Sequence, residues 1–298
     1  MFSGDIENAY REKRMLPWER KLTERIKRKM WLLPRTLLHP VMLVSVKLLR
    51  CLRRQKLIFL NTIPKNGGAI FTVNHTCSLD VPVSCEVIGT HAIVLAGTQA
   101  LAPLDKAFFD LNGTIWVDRH GKASKAAARR SMLEVLRRGK SLLVFPEGTW
   151  NLSPNALHLP LYWGVIDIAR ESGKPIVPIC LEYIDRDIVV SFGAPITVGD
   201  KDSKQEKFEE LSAAFSTLKY ETFARCCKCA RESVSEEAWN ARVTGIVKAY
   251  PRLDIEYEKS VIRKTHTAPE EAFAHLSQLI PSRENAFLIR TREGDMWQ

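Results

Sequence analysis

The sequence lacks several features that mark common classes of protein. Its seven cysteines are an odd number scattered along the chain, so they do not form the paired framework of a small secreted protein, and a reducing cytoplasmic environment is expected. No histidines have metal-ligand spacing, and the C-x2-C from Cys226 to Cys229 has no second pair, so no metal site is predicted. There is also no G-x-S-x-G motif, which excludes the nucleophile elbow of serine hydrolases.

The chain also lacks an apolar run long enough to predict a single membrane-spanning helix. Residues 37–49 are strongly apolar, but Pro40 and Lys47 interrupt them, and a span needs about 20 uninterrupted apolar residues. The small-residue cleavage site of a signal peptide is missing as well. Because basic residues flank this run on both sides, it is expected to lie in one leaflet, with its basic side toward anionic headgroups.

Positive charge is concentrated in the amino-terminal segment. Residues 1–60 contain 15 Lys plus Arg against 5 Asp plus Glu, an excess equal to the +10 net charge of the whole chain. This segment is therefore predicted to bind a membrane phospholipid surface, and Trp18 and Trp31 suit the headgroup layer. The alternative is a solvated basic arm in front of a core helix. Nucleic-acid binding is not predicted, because no basic module studded with aromatic residues follows.

The middle of the chain alternates short apolar strands with helices. Strands are expected near residues 69–73, 91–95, 114–118, 141–145 and 176–182, and helices near 79–88, 123–138 and 161–172. The alternation predicts an α/β fold with a mixed β-sheet flanked by helices. The helix that begins near Ser124 is expected to end at Gly139.

The most informative motif is the H-x4-D pair formed by His75 and Asp80. An imidazole held by a carboxylate can act as a general base toward a hydroxyl group. Residues five apart on a helix differ by about 140° in direction, so His75 is expected outside the helix that contains Asp80. Ser78 is the predicted N-cap, which places Asp80 where the helix dipole favours an ionised carboxylate. For this motif alone, a polar turn without chemistry remains the alternative.

Three further blocks follow in order: Gly113 to Arg119, Phe145 to Thr149, and Ile176 to Ile179. The second ends at the carboxyl end of a predicted strand, where open α/β sheets collect ligand groups. With Asn74 to Asp80, these blocks resemble in order the four blocks of the glycerolipid acyltransferase family, typified by lysophosphatidic acid (1-acyl-sn-glycerol-3-phosphate) acyltransferases. The resemblance covers about residues 57–200 and implies the glycerolipid acyltransferase fold.

The resemblance implies that His75 deprotonates an acceptor hydroxyl, which attacks the thioester of acyl-CoA or acyl carrier protein, while Asp80 orients His75. The acyl thioester is then a co-substrate, and no bound cofactor is expected. A thioester is already activated, so a positioned base and approximation of the two substrates suffice without a covalent acyl-enzyme. Cys77 would serve as a nucleophile only if the turn folded it back toward the substrate.

The resemblance also suggests an acceptor site. Arg119 and the turn at Gly148 and Thr149 correspond to the acceptor-binding blocks, where a guanidinium and backbone donors suit a phosphate. His120 and Lys122 are further phosphate candidates. For Glu147, structural and substrate-binding roles remain open, because the carboxylate of a Pro-Glu-Gly turn often holds backbone donors.

Two tryptophans depart from the family pattern. Trp150 stands where the family usually has arginine after Glu-Gly-Thr, and Trp163 stands where it often has lysine. A tryptophan donates one hydrogen bond and can stack on a choline-like or sugar group, but it cannot neutralise a phosphate. The alternative for both is packing or anchoring at a membrane interface.

The resulting prediction is a membrane-surface O-acyltransferase, monotopic or peripheral on the cytoplasmic face, that acylates the sn-2 hydroxyl of 1-acyl-sn-glycerol 3-phosphate to give phosphatidic acid. Residues 1–58 form the basic membrane-associating segment, 59–200 the catalytic domain, and 201–298 a mainly helical extension of open role. Alternatives are another lyso-lipid or amino-lipid acceptor, a catalytically silent lipid-binding membrane protein, and a thioester hydrolase. Charge does not discriminate between CoA and the acidic carrier protein as donor.

Overall fold

The computed structural model describes residues 36–64, 68–98, 103–119, 121–151, 156–226, 235–238 and 241. The predictions for Trp18, Trp31 and His120, for the cysteines after Cys226, and for most of the carboxyl-terminal extension lie outside these residues. Within the described part, no helix is long and apolar enough to cross a membrane.

Seven strands form one mixed sheet in the order β1-β7-β6-β2-β5-β3-β4. All neighbouring strands are parallel except β6 and β7, which are antiparallel. The strands are β1 (Leu57–Phe59), β2 (Ile70–Val73), β3 (Ala92–Gly97), β4 (Ile115–Val117), β5 (Ser141–Val144), β6 (Ile176–Ile184) and β7 (Asp187–Phe192).

Helices cover both faces of this sheet. They are α1 (residues 36–52 as described), α2 (Asp80–Ile88), α3 (Pro103–Asn112), α4 (Lys122–Arg137), α5 (Gly164–Ser172) and α6 (Lys204–Cys226). Residues of α4, α5 and α6 pack with Ile70 and Leu142 in one buried cluster. Residues of α1, α2 and α3 pack with Phe71 and Leu143 in the other. The predicted α/β fold with a mixed sheet flanked by helices is therefore confirmed.

The central strands are apolar on both faces because both faces are covered. Successive side chains of a strand point to opposite sides of the sheet, so Ile70 and Phe71 enter different clusters. All four residues of β2 and all four of β5 are buried. This explains why these strands appear in the sequence as continuous apolar runs rather than as an alternating pattern.

The helix starts differ from the sequence predictions. Ser78 is not the N-cap of α2: Leu79 occupies that position without a side-chain cap, and the carboxylate of Asp80 bonds the preceding turn instead. Helix α4 begins at Lys122, two residues before Ser124, whose hydroxyl accepts a bond from the Asp118 N–H.

Helix α5 begins at Gly164 rather than near residue 161, because the preceding chain runs along Pro146, whose carbonyl accepts the Tyr162 N–H. Strands β1 and β7 and helix α3 were not predicted.

Candidate active site

His75 and Asp80 meet just beyond the end of β2. The His75 Nδ1 atom lies 2.8 Å from Asp80 Oδ2, and the Asp80 side chain is completely buried while 16% of the His75 side chain is exposed. A carboxylate only accepts hydrogen bonds, so this geometry assigns the proton to Nδ1 and leaves Nε2 to accept one. Asp80 is the first residue of its helix. As predicted, it lies near the amino end of that helix, and His75 lies outside the helix.

The Asp80 carboxylate is held by the turn that precedes it. Its Oδ2 atom accepts the backbone N–H groups of Thr76 and Cys77, the latter at 2.9 Å. The Thr76 hydroxyl lies 3.4 Å from Oδ1. Bonds to an ionised acceptor are among the stronger hydrogen bonds in proteins, and the amino end of α2 adds a favourable dipole. The carboxylate is thereby fixed at the back of the imidazole.

The Cys77 thiol is unsuited to nucleophilic attack. Burial, and then the charge of Asp80, raise its pKa far above the ordinary value for a thiol. Only the thiolate is an effective nucleophile. The structure therefore argues against a covalent route through Cys77.

Glu147 occupies the interior rather than an open surface. Its Oε1 atom accepts the His75 N–H at 2.9 Å, and its Oε2 atom accepts the Leu159 N–H at 2.8 Å. Burial raises the pKa of this carboxyl, while the charge of Lys219 and the two backbone bonds limit the rise. Because both oxygens hold the backbone, this geometry favours the structural one of the two roles left open by the sequence.

Two further contacts fix the backbone around His75. The side chain of Asn74 donates to the Leu181 carbonyl at 3.0 Å and accepts the Leu181 N–H at 2.8 Å, which joins it to β6. The His75 carbonyl accepts the Asn151 N–H at 2.7 Å. The backbone at residues 74 and 75 is therefore held by β6 and by the segment that contains Glu147 and Asn151.

The two tryptophans have different surroundings. Trp150 lies beside His75: the two ring centroids are 6.0 Å apart in an edge-on arrangement. The ring centroid of Phe145 lies 4.5 Å from that of His75. Trp163 instead stacks on Phe208 of α6, with ring centroids 4.2 Å apart and planes at 3°. The structure thus brings only Trp150 into contact with the His75 ring, whereas Trp163 contributes to packing against α6.

Arg119 reaches the turn that follows β5. Its guanidinium donates to the Gly148 carbonyl and lies 5.7 Å from the Tyr162 ring centroid. Gly148 has a φ of +72°, and a Cβ at this position would lie 2.3 Å from Tyr162 Cε2, so glycine is required for two independent reasons. Thr149 is buried. The predicted acceptor residues Arg119, Gly148 and Thr149 therefore meet at the turn that also contains Trp150.

Lys122 is the first residue of α4. Three residues that act on the surroundings of His75 or Glu147 were not predicted as site residues: Asn74, Leu159 and Lys219. The signal for Asn74 was its place directly before His75. Lys219 interrupts the apolar positions of α6 at a spacing of four from Phe215, which is a detectable anomaly.

Among the described residues, no cluster of three or more His, Cys, Asp or Glu could hold a metal ion.

Sequence comparisons show that part of this chain is similar to known acyltransferases. The Acyltransferase family model matches residues 55–182. The chain is 27% identical over 141 residues to the 1-acyl-sn-glycerol-3-phosphate acyltransferase of Borreliella burgdorferi, covering 46% of this chain and 56% of that protein. It is 29% identical over 134 residues to the lyso-ornithine lipid O-acyltransferase of Pseudomonas aeruginosa, covering 45% and 49%. The chain thus matches about half the length of these relatives.

A solved structure has the same fold. The crystal structure of the 1-acyl-sn-glycerophosphate (LPA) acyltransferase PlsC from Thermotoga maritima matches with a TM-score of 0.55 and 19% identity, covering 65% of this chain and 83% of that one. The residues matched by the family model contain every site residue predicted from the sequence, from His75 to Trp163. Residues 55–182 of the chain therefore match the acyltransferase family.

Proposed function

We propose that this protein is a membrane-surface O-acyltransferase that transfers an acyl group from acyl-CoA or acyl carrier protein to the sn-2 hydroxyl of 1-acyl-sn-glycerol 3-phosphate. The observation that carries this proposal is the His75–Asp80 pair, a partly exposed imidazole whose Nδ1 is held at 2.8 Å by a buried carboxylate. The Borreliella burgdorferi relative, which is named for this reaction, supports the choice of acceptor.

In the proposed mechanism, His75 Nε2 takes the proton of the acceptor hydroxyl as its oxygen attacks the thioester carbonyl carbon. Asp80 stabilises the imidazolium that results. The tetrahedral intermediate then collapses, the carbon–sulfur bond breaks, and the departing thiolate takes the proton back from Nε2. The products are an ester and a free thiol, and no cofactor is consumed.

Arg119 and the Gly148-Thr149 turn are the proposed phosphate site. The bond to the Gly148 carbonyl keeps the Arg119 guanidinium beside this turn. A guanidinium presents its donors in a planar fork that matches the geometry of phosphate oxygens. Binding the acceptor phosphate here would bring its hydroxyl toward the neighbouring His75.

The exposed face of α1 supports a location at a membrane surface. Five of its apolar side chains, at a helical spacing of three to four residues, are each about three-fifths to three-quarters exposed: Leu37, Val41, Val44, Leu48 and Leu52. A contiguous exposed apolar stripe is typical of an interaction site, and the nearby basic residues suit anionic headgroups. We propose that this face enters one leaflet on the cytoplasmic side.

The central test is His75→Ala in an acyl-transfer assay with lysophosphatidic acid and a radiolabelled acyl donor. We expect transfer to be abolished, while the circular dichroism spectrum and binding to anionic vesicles match those of the wild type. Turnover retained in this variant would refute the mechanism.

A second candidate acceptor is a lyso-lipid without a glycerol phosphate, such as a lyso-amino-lipid. Trp150 favours it, because an uncharged ring stands beside the base where the family usually has arginine. The Pseudomonas aeruginosa relative, named as a lyso-ornithine lipid O-acyltransferase, is consistent with it. A panel of lyso-acceptors, each with acyl-CoA and with acyl carrier protein, separates the two candidates.

The panel also separates the remaining alternatives. Under the first proposal, phosphate-bearing acceptors are preferred, and Trp150→Arg strengthens this preference by adding a cation to the site. Equal rates with phosphate-free acceptors would favour the second candidate. Free fatty acid released without an acceptor would indicate a hydrolase, and no turnover with any combination would indicate a lipid-holding protein.

A further inference from the structure

Helix α6 places a lysine in the protein interior behind the candidate active site. The Lys219 side chain is 2% exposed, and its Nζ atom lies 3.1 Å from Oε1 of Glu182, which is 1% exposed. The ammonium has no well-aligned hydrogen bond to another described residue. Lysine is almost never fully buried unless it is paired. Lys219 also lies beyond residues 55–182, the region that the family model matches.

A buried ion pair of this kind is not explained by stability alone. Removing two charges from water costs several kcal/mol per ion, and well-packed apolar residues of similar volume are often as stable or more so. The other buried positions of α6 hold mainly such residues, including Leu211, Phe215 and Phe223. We therefore expect the charge of Lys219 to have a role other than stability.

A first series of contacts connects Lys219 with Asn74, the residue before His75. Glu182 Oε1, the atom paired with Lys219, also lies 3.0 Å from Asn74 Nδ2, which donates to it. Asn74 in turn exchanges two hydrogen bonds with the backbone of Leu181. The position of Asn74, and with it the start of the turn that carries His75, thus depends on a carboxylate held by Lys219.

A second connection links Lys219, through Glu147, with the backbone of His75. Glu147 accepts the His75 N–H and the Leu159 N–H. Among the described residues, Lys219 and, when protonated, His75 lower the pKa of this carboxyl by their charge, against the larger effect of burial. His158 directly precedes Leu159, whose N–H donates the second bond to Glu147. Burial foremost, with a contribution from Lys219, lowers the pKa of His158.

We propose that Lys219 is a positioning residue for the His75 base, acting through Glu182 on Asn74 and through Glu147 on the His75 backbone. One ammonium from α6 balances the two buried carboxylates that hold consecutive residues, Asn74 and His75. The α6 helix is then a functional part of the catalytic unit and not only a cover for the sheet. This proposal rests on the proposed function, in which His75 is the base.

The first experiment compares Lys219→Met with Lys207→Met in steady-state acyl transfer. Methionine has a similar length and removes the charge. We expect Lys219→Met to lower kcat by about 10- to 100-fold, the size of effect that a small misplacement of a reacting group produces, with KM changed less than threefold. Lys207 lies on the same helix but pairs at the surface with Glu210, so its variant should match the wild type.

The second experiment observes the two bonds to Glu147 directly, by NMR titration of the His75 and Leu159 amide protons. In the wild type, both should shift together as Glu147 titrates. In Lys219→Met the common midpoint should move to higher pH, because the cation that favours the ionised carboxyl is gone. A lysine without electrostatic influence on Glu147 would leave this midpoint unchanged.

If Lys219→Met does not fold, the double variant Lys219→Met/Glu182→Gln replaces it in both experiments, because it leaves no unpaired buried carboxylate at position 182. It should show the same raised midpoint and the same loss of kcat. Wild-type kcat, or unmoved amide midpoints, in the folded variants would overturn the positioning proposal. A moved midpoint in a protein whose wild type transfers no acyl group would refute the proposed function while leaving the link between Lys219 and Glu147 intact.

Discussion

Replacing Glu147 with glutamine retains the shape of a fully buried side chain and removes one of its two hydrogen-bond acceptors. In the wild type, one carboxylate oxygen accepts the His75 N–H and the other accepts the Leu159 N–H. A glutamine has one acceptor oxygen and one NH2 group. Whichever way the amide is turned, one backbone N–H faces another donor.

The expected cost follows from that single lost acceptor. A buried donor left without a partner costs about 1–3 kcal/mol, so we expect Glu147→Gln to lower the free energy of unfolding by about this amount. Turnover should fall as well. The hydrogen bond that is lost is either the one from the His75 N–H or the one from the Leu159 N–H, and both hold backbone near His75.

The pH dependence has a definite sign. Burial raises the folded-state pKa of Glu147 above its ordinary value. The stability linked to this carboxyl is therefore fully present below the unfolded pKa and is lost as pH rises through the raised folded pKa. The stability difference between the wild type and Glu147→Gln should be largest below the unfolded pKa and should narrow as pH rises through the raised folded pKa.

The measurement is urea unfolding followed by circular dichroism at several pH values, with acyl transfer assayed in parallel. Glu171→Gln is the matched control, because Glu171 is a half-exposed partner of Arg129 and should change stability by less than about 0.5 kcal/mol. If Glu147→Gln were as stable and as active as this control, the assignment of Glu147 to the backbone of the base would be wrong.

Two other substitutions test the geometry of the site. Asp80→Asn should lower kcat by about 10³–10⁴-fold with a smaller change in KM, because an amide can stabilise the wrong tautomer of His75; steady-state kinetics checks this, and a kcat within threefold of the wild type would contradict it. Gly148→Ala should lower the melting temperature and the rate together, since its Cβ would meet Tyr162 in a backbone conformation with φ of +72°, whereas Gly164→Ala has open space and should be tolerated in the same thermal scan.

The order of strands and helices could be predicted because its signals are local. Apolar runs such as Ile70–Val73 and Ser141–Val144 mark buried strands wherever they pair, and five strands were found near their expected positions. The edge strand Leu57–Phe59 is short and only partly buried, so its sequence pattern is weak. The Ser78 cap was wrong because the competing carboxylate of Asp80 bonds the same turn.

The sequence by itself determined the elements and the motif that place His75 and Asp80 at the end of β2, because both depend on residues close together in the chain. Only the tertiary structure decided the role of their neighbours. Glu147 is 72 residues from the His75 N–H that it accepts, and Asn74 is 107 residues from its partner Leu181. The same holds for Trp163, which packs on Phe208, and for Lys219, which is buried against Glu182. A residue type shows which bonds a side chain can make, but only the packing of distant segments shows which of those bonds it makes.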